Sequence, residues 1–136
     1  MIVETDVLVR FAETDQMGIV HHATYLLYFE VGRVAFSKAV NASYNELEQA
    51  GFSLAVVEAK VRFAAPARFD QKLAIRTWIR KASSRAVTFA YEIVDGMTTQ
   101  RVVTGHTRHI CVDREGKVRR IPGKWYQAIK DNEYGE

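Results

Sequence analysis

Residues 23–40, ATYLLYFEVGRVAFSKAV, limit the fold more than any other stretch of this 136-residue chain. The segment is too long and too continuous for a strand. Its polar positions Glu30, Arg33 and Ser37 follow the i, i+3, i+7 spacing of one narrow helical stripe. Tyr25, Tyr28, Gly32, Phe36 and Ala39 fall on the opposite side, and apolar side chains cover nearly everything else. A helix apolar over most of its circumference belongs inside a core. Gly32 is costly in a helix interior and points to close approach of a neighbouring backbone. A flat sheet covers only one side of such a helix, so the rest of the chain is expected to wrap around it.

The rest of the chain reads as strands. Val7, Val9 and Phe11 alternate with Leu8 and Arg10, the period of a first strand. Ser43 and Glu46 have the spacing of a capping box for a short second helix, and Gly51 stands where its C-terminal cap belongs. The pattern then changes to period two. Strands are expected over residues 54–63, from about 73 to 80, from about 87 to 93 and over 100–112, with Asp95–Gly96 as a hairpin turn. A weak helix follows Pro122, around residues 124–130. Strands joined by short turns form an antiparallel sheet, because parallel strands need long crossovers. The expectation is one α+β domain over residues 1–136, its sheet curled round a central helix. Trp78, Val94 and Ile110 are expected to leave the outer sheet face partly apolar, so that sheets pack together in an oligomer.

Composition removes some classes of function. Hydrophobic residues make up 48% of the chain and charged ones 26%, enough to build a core without metal or disulfide. The single cysteine, Cys111, allows no intrachain disulfide and fits a reducing compartment. The first residues carry acids where a signal peptide is basic, and no apolar run is long enough to span a bilayer. A cytoplasmic protein is expected. The net charge of +3 suits an anionic ligand, but the basic residues are scattered among acids, so nucleic acid is not expected as a partner.

Chemistry concentrates just before the central helix, in ETDQMGIVHHATY, residues 13–25. A helix N-terminus has unpaired N–H groups and a partial positive charge, suited to an oxyanion developing on a carbonyl. Gly18 lets the loop turn back, so that Asp15 can face the helix start near His22. A carboxylate beside a polarised acyl carbonyl can attack it or deprotonate a water. A lone loop Asp is equally a turn former, and adjacent histidines at a helix start are commonly caps. His106 and His109 should point to opposite strand faces, and no H-x-x-x-H or cysteine cluster occurs, so no metal site is expected.

The pattern V-x-F-x-x-T-D-x-x-G-I-V-x-H-x-x-Y-L-x-Y-F-E-x-x-R over residues 9–33 resembles the signature of hotdog-fold acyl-CoA thioesterases, in the 4-hydroxybenzoyl-CoA thioesterase and YbgC-like branch. The downstream block VRFAAPARFDQKLAIRTWI is similar to that family's next segment. The resemblance implies a hotdog fold, a helix wrapped by an antiparallel sheet. It implies hydrolysis of an acyl-CoA to a carboxylic acid and free CoA, with acyl carrier protein open as an alternative carrier and no cofactor. Carried across, it makes Asp15 the catalytic carboxylate and puts the backbone N–H of His22 or Ala23 at the thioester carbonyl. The His22 side chain is placed to hydrogen-bond the carbonyl or order water. His21 stands where the family often has Tyr and is expected to shape the acyl pocket, and Tyr25 matches the pattern. Lys81, Ser84 and Arg85 lie at a strand turn where donors could meet the CoA phosphates, and Arg62 is a weaker candidate. A homo-oligomer is implied, a dimer of dimers, with phosphate ligands open to a neighbouring chain. Two rival readings are a hotdog enoyl-CoA hydratase and a non-catalytic acyl-CoA or acyl-carrier binding module.

Overall fold

A computed structural model of the chain describes residues 1–135. Strand β1 (Val3–Leu8) leads through a 3-10 turn at Phe11–Glu13 and a folded loop to helix α1 (Thr24–Ala39). Helix α2 (Tyr44–Gln49) and strands β2 (Phe52–Phe63), β3 (Lys72–Ala82), β4 (Ala86–Asp95) and β5 (Arg101–Asp113) follow, then helix α3 (Gly123–Asp131). The strands form one antiparallel sheet in the order β1-β3-β4-β5-β2, so β1 and β2 are its edges.

Alternation sorts the sheet into two faces. Leu73, Ile75, Thr77 and Ile79 of β3 point inward with Val87, Phe89, Tyr91 and Ile93 of β4, and all eight are buried. Helix α1 lies across this face. Phe29 stacks on Tyr91 with ring centroids 4.1 Å apart, and Phe36 meets Phe89 edge-on at 6.0 Å. Each such side chain contributes roughly 1.5–3 kcal/mol by leaving water. The long α1 helix, the turn at Gly51 (φ 96°) and the four long strands agree with the sequence reading.

Several expectations need correction. The first strand ends at Leu8 rather than reaching Phe11, because Leu8 pairs with Lys72, the first residue of β3. The Val9 N–H instead donates to the Gln71 carbonyl at 3.0 Å, and the chain turns away. Ser43 does sit at the start of α2, but its side chain makes no capping bond. Helix α3 engages the other half of the expected box, with Lys124 pairing with Glu46 at 3.2 Å, and the Trp125 indole N–H donates to the Ser43 backbone carbonyl. Gly32 is required by side chains rather than by backbone. A Cβ there would overlap Thr77 Oγ1 and stand 2.8 Å from Ile75 Cγ2.

Helix α1 is also less enclosed than its sequence suggests. Leu27 is 57% and Val31 40% exposed, since the sheet covers one side only. The outer sheet face carries its expected apolar residues together with many basic ones. By pairing, Trp78, Val94 and Ile110 lie there, but so do Lys60, Arg62, Arg76, Arg80 and Arg108. Exposed apolar surface collects instead on α1 and along β2, at Val56, Val57 and Phe63.

Candidate active site

The loop before α1 is a tight, well-bonded hairpin. The Asp15 N–H donates to the Ile19 carbonyl at 2.8 Å, and the Gly18 N–H donates back to the Asp15 carbonyl at 3.0 Å. Gly18 takes the left-handed conformation (φ 77°) that this turn needs. The His21 N–H closes the hairpin on the Glu13 carbonyl, and the Val20 N–H ties it to the Ala67 carbonyl. One anchor escaped the sequence reading. The Glu13 carboxylate accepts bonds from the Arg10 N–H, the Arg10 guanidinium and the Tyr28 hydroxyl (2.8 Å). Burial works to raise the Glu13 pKa, but these hydrogen bonds outweigh it and hold the group below its ordinary value. Burial, and then the Glu13 charge, push the Tyr28 phenol up. This pair fastens the loop to α1 in the first turns of the helix. Its sequence signal is an acid and a tyrosine fifteen residues apart, which no local periodicity connects.

A cavity of about 440 Å³ opens beside this loop. Asp15 and His22 supply its polar groups, and Ile19, Val20, Tyr25, Phe63 and Pro66 are prominent in its apolar wall. The Phe63 ring meets Tyr25 edge-on at 5.7 Å. The wall segment after β2 is fixed by the Ala64 and Ala65 N–H groups, both donating to the Val102 carbonyl. Sequence reasoning quoted this segment without giving it a place in the site.

Asp15, His22 and Tyr25 therefore come together. Asp15 Oδ1 accepts the Met17 N–H at 2.8 Å, an Asx turn that orients the carboxylate. Among the described residues, Oδ2 has no protein partner. The two candidate oxyanion donors differ. The Ala23 N–H already donates to His21 Nδ1 at 3.2 Å, whereas the His22 N–H has no partner among the described residues. The His21 ring stacks on His22 at 4.2 Å and caps the helix start, and it is not part of the cavity wall. Tyr25 is buried, which pushes its phenol up.

Lys81, Ser84 and Arg85 lie elsewhere. They flank the β3–β4 turn, where the Ser83 N–H meets the Ala86 carbonyl and Arg85 Nη1 approaches Ser84 Oγ at 3.4 Å. The Asp15 loop sits at the Lys72 end of β3, through the Ile19–Arg68 bridge. Nine residues of strand separate the two ends, about 30 Å at roughly 3.3 Å per residue. Within one chain these residues do not share a site with Asp15. Among the described residues no cluster of three or more potential metal-binding side chains occurs, and no helix is long and apolar enough to cross a membrane.

Comparison with known proteins agrees with this arrangement. Residues 9–129 match the family described as the Thioesterase-like superfamily. YneP of Bacillus subtilis, provisionally named an acyl-CoA thioesterase, is 33% identical over 129 residues, covering 92% of this chain and 93% of that protein. The acyl-CoA thioester hydrolase YbgC of Escherichia coli O157:H7 is 30% identical over 107 residues, 79% of each chain. Among solved structures, Slr0204, a 1,4-dihydroxy-2-naphthoyl-CoA thioesterase from Synechocystis, superposes with a TM-score of 0.87 at 26% identity, covering 96% of this chain and 97% of that one. With its antiparallel sheet over a central helix and a match along nearly its whole length, this chain belongs to the thioesterase-like superfamily, as a hotdog-fold thioester hydrolase.

Proposed function

We propose that the protein hydrolyses an acyl-CoA thioester at the cavity beside Asp15. The observation that carries the reading is the pairing of the Asp15 carboxylate, its Oδ2 unengaged, with the unpartnered His22 N–H at the start of α1, both at one apolar cavity. The His22 N–H receives the thioester oxygen as negative charge develops on it, helped by the helix dipole. Asp15 either removes a proton from the water that adds to the carbonyl or attacks the carbonyl itself, giving an anhydride that water then opens. In both routes the C–S bond breaks, the CoA thiolate leaves and takes up a proton, and the acid departs. The apolar wall of Ile19, Val20, Tyr25 and Phe63 suits a compact apolar or aromatic acyl group.

The test is Asp15→Asn, which keeps the shape and removes the charge. Turnover of the best substrate from a panel of aromatic and short-chain acyl-CoAs should fall by roughly 100-fold or more. His22→Ala should cost less, because its backbone N–H remains. A folded Asp15→Asn protein that retains turnover within a factor of about three of wild type would remove Asp15 from the chemistry. After single turnover in oxygen-18 water, label on Asp15 establishes direct attack with water opening the anhydride at the Asp15 carbonyl.

The phosphate-binding role of Lys81, Ser84 and Arg85 belongs to a dimer in this reading. Strand β2 is a twelve-residue edge with one hydrogen-bonding side unpaired within the chain and with Val56, Val57 and Phe63 exposed. Pairing two β2 edges about a twofold axis normal to the sheet brings each β3–β4 turn to the end of the sheet where the partner's cavity opens. The exposed Leu27 and Val31 of α1 supply a second apolar surface for a dimer of dimers.

A further inference from the structure

The outer face of the sheet carries a second depression of about 440 Å³, which shares no lining residue with the one that holds Asp15. Lys60 and Arg62 of β2, Arg80 of β3 and Arg101 of β5 surround it, with Glu92 as its one acid. Glu92 is already engaged. It accepts from Arg101 at 2.8 Å and from Arg76 at 3.1 Å. Among the described residues, Lys60, Arg62 and Arg80 have no carboxylate within ion-pair distance. The Arg80 guanidinium instead donates to His106 Nδ1 at 3.3 Å, and His106 Nε2 bonds Glu58 at 2.8 Å. His106 thus holds Arg80 across the depression without neutralising it.

Trp78 adds an apolar wall to the depression. Three uncompensated cations around one concavity form an arrangement that an anion rich in acceptors satisfies. A second copy of the same face would bring like charges together. Extended nucleic acid is disfavoured because Glu58 and Glu92 interrupt the basic surface.

We propose that this depression is a binding site for a small phosphate-bearing anion, separate from the thioesterase cavity. Lys60, Arg62 and Arg80 bind the phosphate oxygens. The phosphate could come from inorganic polyphosphate or from the phosphate end of a nucleotide, and the probes below distinguish these sources.

The experiment is calorimetric titration of the full-length protein with inorganic pyrophosphate, ADP and adenosine. Pyrophosphate or ADP should bind saturably, and adenosine should not. An ADP affinity well above that of pyrophosphate identifies a nucleotide, and the reverse identifies polyphosphate. The double variant R62A/R80A should lose at least tenfold in affinity. Lys60→Gln serves as a milder variant should the double variant melt early. K81A/R85A should bind like wild type, which separates this site from the proposed CoA phosphate ligands, and loss of binding in K81A/R85A would overturn the assignment. The assignment is overturned if wild type binds neither phosphate at millimolar concentration, or if R62A/R80A binds unchanged. Binding of adenosine as tightly as ADP would also overturn it, as would preference for a single-stranded oligonucleotide over pyrophosphate.

Discussion

In the proposed mechanism the two roles open to Asp15, turn former and catalytic carboxylate, do not compete: one oxygen closes an Asx turn on the Met17 N–H, and the other has no partner among the described residues. His109 shows the opposite case, a histidine confined to structure. It is fully buried, and the chain Tyr91–Thr107–His109 has distances of 2.6 and 2.8 Å, with Nδ1 3.4 Å from the Leu54 carbonyl. A neutral ring fits these contacts, with Nδ1 donating to the carbonyl and Nε2 accepting from Thr107, which accepts from Tyr91. Burial, then the nearby Arg33 charge, depress its pKa to about 4. The unfolded chain binds the proton between its ordinary value of 6.5 and about 4, and the folded chain does not. Stability should thus be full above that window and fall with pH through it, at up to about 1.4 kcal/mol per pH unit. Urea denaturation across pH 4 to 7 measures this slope, and His109→Gln should flatten it. An unchanged slope in the variant would show that other groups carry it.

At the scale of elements, α1 and β5 each press on a neighbour at a glycine. At Gly105 a Cβ would overlap the Lys60 carbonyl of β2 and stand 2.8 Å from the Phe29 ring of α1. Neither backbone nor a stacked aromatic can give way cheaply, so Gly105→Ala should destabilise by about 1–3 kcal/mol, read from denaturant midpoints. Nothing in the alternating pattern of β5 marks this position, because the obstruction comes from β2 and α1. Under Gly32, the Thr77 hydroxyl is buried without a partner. Thr77→Val keeps the shape and removes the unmet group, so it should be neutral or stabilise by about 1 kcal/mol. A loss of more than that would mean that the hydroxyl has a bonded role at the α1–β3 contact.

At the scale of the whole molecule, the proposed site spans two chains, and this makes a complementation test possible. Asp15→Asn alone lacks the carboxylate. The double variant K81A/R85A should raise KM with kcat nearly unchanged, the pattern of lost uniform binding. If the phosphate ligands come from the partner, refolding the two variants together should restore activity measured well below KM. In a twofold dimer each hybrid has one fully wild-type site, about one site in four over the mixture. If each chain uses its own Lys81 and Arg85, no such recovery occurs. Sedimentation equilibrium on the wild-type protein provides the premise, and a monomer at micromolar concentration would remove it.

The sequence by itself determined what depends on short-range pattern. Period two gave the four long strands, the apolar helix marked its own burial, and the run from Thr14 to Tyr25 announced a loop–helix junction with a carboxylate. Tertiary structure decided whatever depends on which elements meet. β1 stops at Leu8 because β3 begins opposite it at Lys72. The expected capping box at Ser43 does not form, and its acid, Glu46, pairs with Lys124 of α3 instead. Of the two candidate oxyanion donors, the one at Ala23 is taken by the His21 ring, which leaves the one at His22. Glu13 and Phe63 join the loop and cavity through contacts distant in sequence, and within one chain Lys81 and Arg85 stand apart from Asp15 because a strand holds its two ends apart. Local periodicity encodes which face of an element is buried, but not what it is buried against.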